Sequence, residues 1–540
     1  MLELSTASLS FLSIFIYIFI IFFYNSRRQH TPCPQSYPII GNLIGFLLNF
    51  HRFHDWVADL LSQTPSSTLQ VCTFLNLSSG ICTANPLNVE HLLLSNFQNY
   101  VKGSRFMDVL YELLGNGIFN VDGQIWTIQR KIASHEFNTK SLKHFISETV
   151  TSEISKRLIP LLSKTSDENR VIDLQDVLQK FGFDNICNVA FGVDPACLSP
   201  DYQKHENTAN LSFAKAFDDA VGICLSRFMS PLPLVWKTKR FLDIGSEKRL
   251  KDMIEVINTY AMGIIRSKEE KMESGDQLHR DDDLLSRFMS SSANIEFQDE
   301  EQRRKFLKDI VISFILAGRD STSTALTWFF WLISAHPQCA NLIHKELLEV
   351  AMMSDATTAR TDSKYLSRTF NYDELKKLQY LNAALSESLR LFPPVPINSR
   401  LSVADDVLPD GTHVGKGWFA DYSAYAMGRM EKVWGQDCRE FKPERWLDAN
   451  GVFQPSDQFR FPVFHCGPRM CLGKEMAYVQ MKSVAAAVMW EFEITAADGG
   501  GCEKNMVNPP YIMSLLLEMR GGLLVRLRRR KPHLKRDAYS

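Results

Sequence analysis

The chain has 540 residues and a net charge of −1, from 60 basic and 61 acidic side chains. Apolar residues make up 45% and charged residues 22%, as in ordinary globular proteins, which argues against whole-chain disorder and collagen-like structure. The balanced charge excludes a strongly cationic nucleic-acid-binding protein. The 11 cysteines stand at irregular spacings without a C-x-x-C pair, so the sequence predicts reduced thiols rather than a disulfide scaffold.

The first element in chain order is an apolar segment without charges, residues 4–24. As a helix, its 21 residues would be about 31 Å long, which matches the hydrocarbon core of a bilayer. Arg27 and Arg28 follow directly, and the positive-inside tendency then predicts a cytosolic body. A cleaved signal peptide is the alternative, but bulky side chains continue to Tyr24 without a small-residue cleavage site. We therefore expect one retained membrane anchor over residues 1–24.

A proline-rich segment follows the anchor. Pro32, Pro34 and Pro38 lack a backbone N–H donor and fix φ, so neither a helix nor a central strand fits. We expect a stiff, extended linker over residues 25–42, which would hold a catalytic domain of residues 43–540 at a set angle to the membrane.

Helical periodicity dominates the rest of the chain. The predicted helices cover residues 43–62, 125–160, 172–191, 246–271, 303–336, 339–352 and 373–392. The segment from Arg303 to His336 is the longest, and as a helix it would be roughly 50 Å long. Short β-rich segments are predicted near residues 71–82, 397–416 and 515–527. The sequence thus predicts a mainly α fold with small β-sheets.

The residues with the clearest chemistry surround Cys471. Residues 464–473 read Phe-His-Cys-Gly-Pro-Arg-Met-Cys-Leu-Gly. A thiolate that binds haem iron needs a turn whose N–H groups reach the sulfur, and glycine allows the close backbone approach and unusual φ of such a turn. Arg469 can neutralise a haem propionate, Phe464 would shield the sulfur, and a helix predicted from Lys474 would favour the thiolate. The alternative is a buried, inert cysteine in a glycine turn.

Phe464-x-x-Gly467-x-Arg469-x-Cys471-x-Gly473 resembles the haem-binding signature of the cytochrome P450 family, the haem-thiolate monooxygenases. Further motifs of that family are present: Ala317-Gly-Arg-Asp-Ser321, Glu387-x-x-Arg390, Pro443-Glu-Arg445-Trp446 and Trp126-x-x-x-Arg130. The resemblance covers nearly the whole chain after the linker. It implies the cytochrome P450 fold, with Cys471 as the axial ligand of a haem b iron. The residues it implies for haem binding are Trp126, Arg130, Arg400, Phe464, Gly467, Arg469 and Gly473.

The long predicted helix carries the motif that resembles the family's oxygen-activation segment. The resemblance implies that Asp320, with the hydroxyl of Ser321 or Thr322, delivers protons during oxygen activation. Gly318 lies in mid-helix, where glycine costs roughly 1 kcal/mol relative to alanine, and an opened helix there would leave room for dioxygen. The alternative is a glycine that serves helix packing beside a solvated aspartate. The family usually has threonine directly after the acid, so it stays open which hydroxyl acts.

Glu387 and Arg390 stand at i,i+3 on one helix face and can pair. As an exposed pair they would contribute little to stability. The resemblance implies instead a buried network with Arg445 that supports the thiolate loop and takes no part in catalysis. His51 and His54 have a metal-like spacing but no acidic partner in the motif, so we predict surface residues.

The sequence contains no dinucleotide-binding glycine motif, so the chain lacks a reductase domain of its own. The resemblance implies that electrons come from a separate NADPH–cytochrome P450 reductase in the same endoplasmic reticulum membrane. Arg130, Lys131, Lys140 and Lys143 are candidates for its docking face. A solvated helix face is the equally plain alternative.

Residues 461–477 and 117–123 most resemble the plant fatty-acid ω-hydroxylase branch of the family. That branch includes oxidases of the hormone conjugate jasmonoyl-isoleucine, and His465 and Met470 favour this sub-branch. Cys466 is a departure, since a small residue is expected there. We expect oxidation of the terminal carbon of a fatty acid, jasmonoyl-isoleucine or 12-hydroxy-jasmonoyl-isoleucine. The alternatives are an in-chain hydroxylase of another lipid, a haem-thiolate isomerase that needs no reductase, and a haem or lipid binding protein without turnover.

Four largely apolar segments face the substrate by family position: residues 104–119, 312–314, 395–398 and 513–516. Apolar composition fits a pocket for greasy ligands and an ordinary core equally well. Bulky side chains in these segments would narrow a channel near the iron: Phe314, Val395 and Leu515. A substrate carboxylate would bind far from the haem, on Lys102 or Arg105, unless these belong to a solvated loop.

Overall fold

The computed structural model describes residues 34–37, 39–73, 79–135, 145–199, 208–273, 283–292, 297–358, 368–497 and 511–530. The anchor expected over residues 1–24 and most of the linker lie outside this part of the chain. Within these residues, no helix combines the length and the apolar character that crossing a bilayer requires.

Helices make up most of the described chain. In chain order they are α1 (Leu43–Leu48), α2 (Phe53–Gln63), α3 (Pro86–Glu90), α4 (Gly103–Leu114), α5 (Gly123–Ser134), α6 (Thr151–Glu153), α7 (Ile159–Asp167), α8 (Leu174–Phe191), α9 (Thr208–Phe228), α10 (Pro233–Phe241), α11 (Gly245–Glu273), α12 (Leu284–Ser292), α13 (Glu300–Ala335), α14 (Pro337–Thr358), α15 (Tyr372–Lys377), α16 (Gln379–Leu391), α17 (Ala424–Met427), α18 (Glu431–Trp434) and α19 (Lys474–Glu491). Wider π-helical turns occupy His91–Ser95, Phe145–Val150 and Ile154–Leu158.

Short strands in the described residues form three small sheets. The strands are β1 (Thr68–Cys72), β2 (Ser79–Thr83), β3 (Tyr100–Val101), β4 (Ile172–Asp173), β5 (Asn398–Ser402), β6 (Asp406–Val407), β7 (His413–Val414), β8 (Phe419–Tyr422), β9 (Phe492–Ala496) and β10 (Leu524–Arg529). The largest sheet has the order β1-β2-β8-β5-β3, and the others are β4-β10-β9 and β6-β7. The predicted mainly α fold with small sheets is therefore confirmed.

Local sequence explains where several helices begin and end. The Asp299 side chain accepts a hydrogen bond from the backbone of Gln302 and caps α13, which ends just before Pro337. Residues 373–392, predicted as one helix, form α15 and α16, because Leu378 between them leaves the helical conformation. The predicted helix 125–160 is also wrong as one element, since α5 ends at Ser134.

Helix α13 links two apolar cores. Its N-terminal half, from Leu307 to Ile315, packs in a core with α4, α8, α9, α11 and α12. Its C-terminal half, from Ala325 to Ile333, packs in a second core with α16, α19 and the sheets. Residues 317–324 lie between the two cores, and the predicted oxygen-activation motif falls in this stretch.

Two glycines let α8 and α13 cross closely. A Cβ on Gly318 would lie 2.5 Å from the Ile186 side chain, and a Cβ on Gly182 would lie 2.6 Å from the Arg319 carbonyl oxygen. The helix is continuous from Glu300 to Ala335, so the expected opening at Gly318 is wrong in this structure. The alternative, a glycine that serves helix packing, describes Gly318 correctly.

The end of the linker is folded onto the domain. Tyr37 and Gly41 form a bridge, and the Asn42 side chain donates to the Pro34 carbonyl at 2.8 Å and accepts from the Cys72 N–H at 2.8 Å. A Cβ at Gly41, whose φ is +55°, would lie 2.3 Å from the Cys72 carbonyl oxygen. Residues 39–42 are therefore a turn docked on β1, and the extended spacer predicted up to residue 42 is wrong for them.

The prediction that His54 lies at the surface is wrong. This residue is 2% exposed and lies between the Tyr425 and Tyr511 rings, and burial lowers its pKa to about 3. Its neighbour Asp55 accepts hydrogen bonds from both tyrosine hydroxyls, at 2.8 and 3.0 Å. His54 is thus a neutral core residue that helps to fasten α2 to the C-terminal segment, whereas His51 is exposed as predicted.

We expect the Gly182→Ala variant to lose about 1–3 kcal/mol of unfolding free energy, because the added methyl meets backbone that cannot turn away. Gly318→Ala should also destabilise the fold, because its Cβ would lie 2.5–2.7 Å from Cγ1, Cδ1 and Cβ of the β-branched Ile186. Chemical unfolding followed by tryptophan fluorescence measures both. The matched control is Gly222→Ala in α9, where a Cβ has nothing within 4 Å and helix propensity favours alanine. Equal stability of the Gly182 and Gly222 variants would contradict this account.

Candidate active site

The loop around Cys471 is shaped by two 3-10 turns, Pro462–Phe464 and Gly467–Arg469, ahead of α19. The Cys471 N–H donates to the Phe464 carbonyl at 2.8 Å, which closes the loop. Gly467 has φ +63°, and a Cβ there would lie 2.1 Å from the Leu93 carbonyl oxygen. Only glycine fits at this position, as the sequence predicts.

The second glycine acts differently from the expectation. Gly473 has φ −85°, which any residue can adopt, so the predicted unusual φ is wrong for it. Its N–H instead hydrogen-bonds the Cys471 sulfur, directly before α19 begins at Lys474. Although the residue has exposed surface, desolvation by the protein packed around it raises the pKa of the Cys471 thiol, while this N–H, Arg130 and Lys474 lower it. The turn therefore supplies the groups that stabilise a thiolate once the proton leaves on metal binding.

Cys471 also differs from the other cysteines in accessibility. Of the described cysteines it alone is exposed, whereas Cys466 is 1% exposed and donates from its sulfur to the Gln458 carbonyl at 3.0 Å. Burial raises the pKa of Cys466 to about 12. Cys471 is thus available as a ligand and Cys466 is a structural thiol. The Phe464 ring, half-buried beside Cys471, packs on Tyr478 with ring centroids 5.4 Å apart.

Four cations lie beside this loop, and we call them the cationic cluster: Lys102, Arg130, Arg400 and Arg469. All four lower the pKa of His465, whose ring nitrogen Nδ1 lies 2.8 Å from the Tyr422 hydroxyl. The carboxylate that faces the cluster is Asp122, which accepts from Arg469 Nη2 at 2.6 Å. Asp122 also accepts the backbone N–H groups of Lys102 and Gly103, each at 3.1 Å.

Arg400 is the most completely buried member of the cluster. It is 1% exposed, its Nη1 donates to the Ser399 carbonyl at 3.0 Å, and its Nε has no hydrogen-bond partner among the described residues. Burial lowers the pKa of Arg400, and burial together with Arg400 and Arg469 lowers the pKa of Lys102 well below its usual range. Buried charges without counter-ions are costly, so this site requires an anionic group.

Haem fits these requirements. Its two propionates would supply carboxylates to Arg400 and Arg469, and Cys471 would supply the thiolate ligand. Lys102 belongs to the same cluster and so lies near the residues that would hold the propionates, and its Nζ also lies 4.0 Å from the centroid of the Phe106 ring.

Trp126 and Arg130 both contact the thiolate loop. The Arg469 guanidinium lies over the Trp126 ring, 4.5 Å from its centroid, and Arg130 donates to the Met470 carbonyl. Trp126 therefore supports Arg469, the side chain that would meet a haem propionate. Arg130 is half-buried against the loop, whereas Lys131 is exposed. The other two predicted docking cations, Lys140 and Lys143, lie outside the described residues.

The Glu387–Arg390 pair forms the centre of a buried network. Both side chains have 0% exposure, and Arg390 Nε and Nη2 each donate to Glu387 at 2.7 Å. Arg445 Nε reaches Glu387 Oε1 at 3.4 Å, and Trp446 Nε1 donates to Glu387 Oε2 at 2.8 Å. The Trp446 ring packs on Phe461, 4.9 Å away, at the start of the thiolate loop. The structural role that we expected for Glu387, Arg390 and Arg445 agrees with this geometry.

Asp320 is buried on α13, and Ser321 Oγ donates to the Ala317 carbonyl at 2.6 Å. Thr322 is 6% exposed. Burial raises the pKa of Asp320 to about 7, so that both protonation states are populated at neutral pH. An acid with this pKa can take up and release protons, which fits the expected relay. The predicted solvated aspartate is the alternative that burial argues against.

The predicted substrate segments divide into two kinds. Phe314 is 6% exposed and packs 6.3 Å from the Phe288 ring, so it is a core residue and not a channel wall. Phe106 and Leu515, both half-buried, lie at the margin of that core together with Leu472, the neighbour of Cys471. These half-buried apolar side chains are the better candidates for contact with a substrate.

Sequence reasoning missed two residues that shape the site, Asp122 and Asp309, and it named Trp446 within a motif without its bond to Glu387. Asp122 precedes α5 and has the residue type of a helix cap, but its side chain does not cap α5 and turns to the cationic cluster instead. Asp309, 1% exposed, accepts the Asn116 N–H at 2.8 Å and so docks the segment after α4 on α13. Each joins parts of the chain that are distant in sequence, so no local pattern reveals them.

Residues 31–524 match the sequence model of the family described as Cytochrome P450. Cytochrome P450 94A1 from Vicia sativa is 44% identical over 503 residues, which cover 92% of this chain and 90% of the relative. Cytochrome P450 CYP94D108 from Paris polyphylla is 44% identical over 498 residues, covering 92% and 93%. Cytochrome P450 94C1 from Arabidopsis thaliana is 41% identical over 532 residues, covering 98% and 100%.

These matches extend over the loop, the cationic cluster and the buried network, and they confirm the resemblance that the motifs carry. The relatives are plant proteins that share the number 94 in their names. The chain therefore belongs to the cytochrome P450 family and is a haem-thiolate monooxygenase.

Proposed function

We propose that this monooxygenase hydroxylates the terminal carbon of a fatty acid, of jasmonoyl-isoleucine or of 12-hydroxy-jasmonoyl-isoleucine. One oxygen atom of O2 enters a C–H bond as a hydroxyl group and the other leaves as water, with two protons and two electrons. A separate NADPH–cytochrome P450 reductase supplies the electrons, since the chain has no dinucleotide-binding motif. The exposed Lys131, on the helix whose Arg130 contacts the thiolate loop, supports docking of that partner on this face.

The haem, when bound, supplies the oxygen chemistry, and its thiolate ligand favours cleavage of the O–O bond. The chain's own residues hold the substrate and manage protons. Burial raises the pKa of Asp320 to about 7, which suits an acid that exchanges protons near neutral pH, and the Ser321 and Thr322 hydroxyls stand next to it in sequence. This acid and these hydroxyls argue against an isomerase and against binding without turnover, because neither needs proton delivery.

The substrate proposal rests on the environment of Arg105. Its guanidinium stacks on the Phe419 ring at 3.8 Å, and its Nη1 is buried without a hydrogen-bond partner among the described residues. Asp421 lies two residues further on the same face of β8 and pairs with Ser399 in register. Arg105 lowers the pKa of the Asp421 carboxyl, which burial raises. The Nη1 group, which has no hydrogen-bond partner among the described residues, is suited to donate to a carboxylate.

Lys102 and Arg105 point to opposite faces of the large sheet. Lys102 joins Arg400, whereas Arg105 packs over Phe419, and Arg400 and Phe419 occupy different faces of the β5–β8 pair. A carboxylate bound at Arg105 is therefore separated from the haem propionates by the sheet. A substrate held there by its acid end would present its other end to the iron, which supports terminal oxidation through positioning.

Cys471→Ala should abolish the thiolate-type Soret band of the reduced protein with carbon monoxide, because it removes the metal ligand. Cys466→Ala should keep the band, since that thiol bonds the Gln458 carbonyl and serves packing alone. The measurement is the carbon monoxide difference spectrum of both purified variants. The reverse pattern would refute the ligand assignment.

With a saturated long-chain acid and with jasmonoyl-isoleucine, the ω-hydroxylated product should dominate. A terminal C–H bond is stronger than an internal one, so this outcome requires a channel that presents the chain end. Product mass spectrometry measures the regiochemistry with NADPH and reductase present. Mainly mid-chain alcohols without oxidation of the conjugate would refute the substrate proposal and leave the monooxygenase assignment intact.

The Arg105→Gln variant is the control for carboxylate anchoring in that assay. It should raise KM for the free acid about tenfold and leave KM for the methyl ester unchanged, since a charged hydrogen bond contributes roughly 1.5–3 kcal/mol. An equal change for acid and ester would show that Arg105 acts through packing alone.

We also propose a single-pass location in the endoplasmic reticulum membrane, with the catalytic domain in the cytosol. The uncharged apolar segment 4–24 supports it, and so do apolar side chains that the domain exposes. Leu234 and Phe241 of α10 are 72% and 88% exposed, and Leu47 and Leu48 of α1 are 61% and 70% exposed. Side chains of this kind suit contact with a lipid surface.

In this topology the Asn76-Leu-Ser78 sequon stays unmodified. The second sequon, at Asn210, is uninformative because this side chain is buried and donates to the Pro195 carbonyl. Glycosidase treatment of the protein from its native membrane should therefore give no mass shift. As a positive control, a cleavable signal peptide in place of residues 1–24 should allow modification at Asn76. A mass shift in the natural chain would overturn the proposed topology.

A further inference from the structure

Arg319 is shared between two carboxylates. Its Nη1 and Nη2 donate to Asp218 Oδ1 and Oδ2 at 2.7 and 3.1 Å, and its Nε lies 3.4 Å from Asp320 Oδ1. Arg319 and Asp320 are buried on α13, whereas the Asp218 side chain on α9 is 57% exposed. The guanidinium therefore donates its two terminal N–H groups to the exposed Asp218 and has only its Nε–H near the buried Asp320.

Asp320 is left incompletely satisfied by this arrangement. Its Oδ1 is buried and accepts no hydrogen bond from the described residues. The charged groups that face it are Arg319, which lowers its pKa, and Asp218 and Glu518, which raise it. Glu518 comes from the C-terminal segment and accepts from Ser514 Oγ at 2.9 Å. On α8, the Cys187 thiol near Arg319 stays neutral, because burial raises its pKa well above the usual range.

We propose that Asp218 is a positioning residue that controls the protonation of Asp320 by holding Arg319 away from it. This inference rests on the proton-delivery role proposed for Asp320, and it names a residue on another helix that sets when this role is possible. Asp218 touches neither the haem site nor the substrate segments described above. It acts through the Arg319 guanidinium that it holds and through its own negative charge, which also raises the pKa of Asp320.

Asp218 and Asp320 compete for one cation, the Arg319 guanidinium. Without the Asp218 carboxylate, Arg319 can turn its two terminal N–H groups to Asp320 and form a bidentate pair, which favours the ionised acid. Asp320 would then stay ionised at neutral pH and hold no proton to deliver. Without Arg319, Asp320 would keep only its carboxylate neighbours and would stay protonated. A relay residue must alternate between both states, so the native arrangement is the intermediate one.

The experiment follows the protonation of Asp320 directly in the holoenzyme. The infrared band of a protonated buried carboxyl is titrated, and Asp320→Asn identifies the band that belongs to Asp320. Asp218→Asn should move the titration midpoint to lower pH by about one unit, which cuts the protonated fraction at neutral pH several-fold. Arg319→Gln should move the midpoint to higher pH. The matched control is Asp219→Asn, the neighbouring acid on α9, which pairs with Arg249 at 2.6 Å and should leave the midpoint unchanged.

A second measurement counts product formed per NADPH consumed. Asp218→Asn should lower this coupling at neutral pH, and acidification should restore it, because the lost protonated fraction returns. A midpoint that responds equally to Asp218→Asn and Asp219→Asn, or that rises in Asp218→Asn, would overturn the inference. A lower midpoint with unchanged coupling would support the control of Asp320 by Asp218 and overturn the proton-delivery role of Asp320. The two proposals are therefore separable.

Discussion

The structure is organised around one constraint, which is the burial of several positive charges next to the Cys471 thiol. Lys102, Arg400 and Arg469 face Asp122 as their carboxylate partner, and the desolvation that lowers their pKa values is costly. A dianionic group that carries a metal removes this cost, because its carboxylates satisfy the cations and its metal takes the thiolate. The protein therefore gains binding energy for haem from groups that are poorly satisfied without it, and the folded domain is coupled to its cofactor.

Such a site needs rigid supports, and these come from the apolar cores and the buried network. Glu387 accepts hydrogen bonds from Arg390 and Trp446, and the Trp446 ring packs on Phe461 at the start of the thiolate loop. Removal of one partner from a buried ion pair typically costs about 3–5 kcal/mol, so this network fixes the loop far more firmly than an exposed pair would. On the other side, Asp309 and the glycine crossing of α8 with α13 fix the segment that carries Asp320.

The sequence predicts best what is encoded within a few residues. The thiolate turn needs glycine at position 467, and the i,i+3 spacing of Glu387 and Arg390 already implies a pair. The sequence could not distinguish between two roles that need the same residue type. Gly318 serves close packing without opening its helix, and Phe314 is core and not channel, because both depend on which helix packs opposite them.

Pairs of charged residues that are far apart in the sequence cannot be predicted from a local pattern. Asp122 and Arg469 are separated by 347 residues, and Asp218 and Arg319 by 101. Lys102 and Arg105 illustrate the same point, since three positions along one turn place them on opposite faces of a sheet. Only the register of β5 with β8 shows that Arg400, beside Lys102, and Phe419, beneath Arg105, lie on different faces of the sheet.

Helix α13 runs through both apolar cores and carries Asp320 between them. Its C-terminal half packs in one core and its N-terminal half in the other, and residues 317–324 between them carry Asp320, the acid of the proposed proton relay. The substrate candidates, Phe106 and Leu515, come from other elements and are only half-buried. Changes in those elements can therefore alter which chain end reaches the iron while Asp320 and its partners keep their arrangement. This separation gives a physical reason why relatives of one fold can differ in substrate and keep one chemistry.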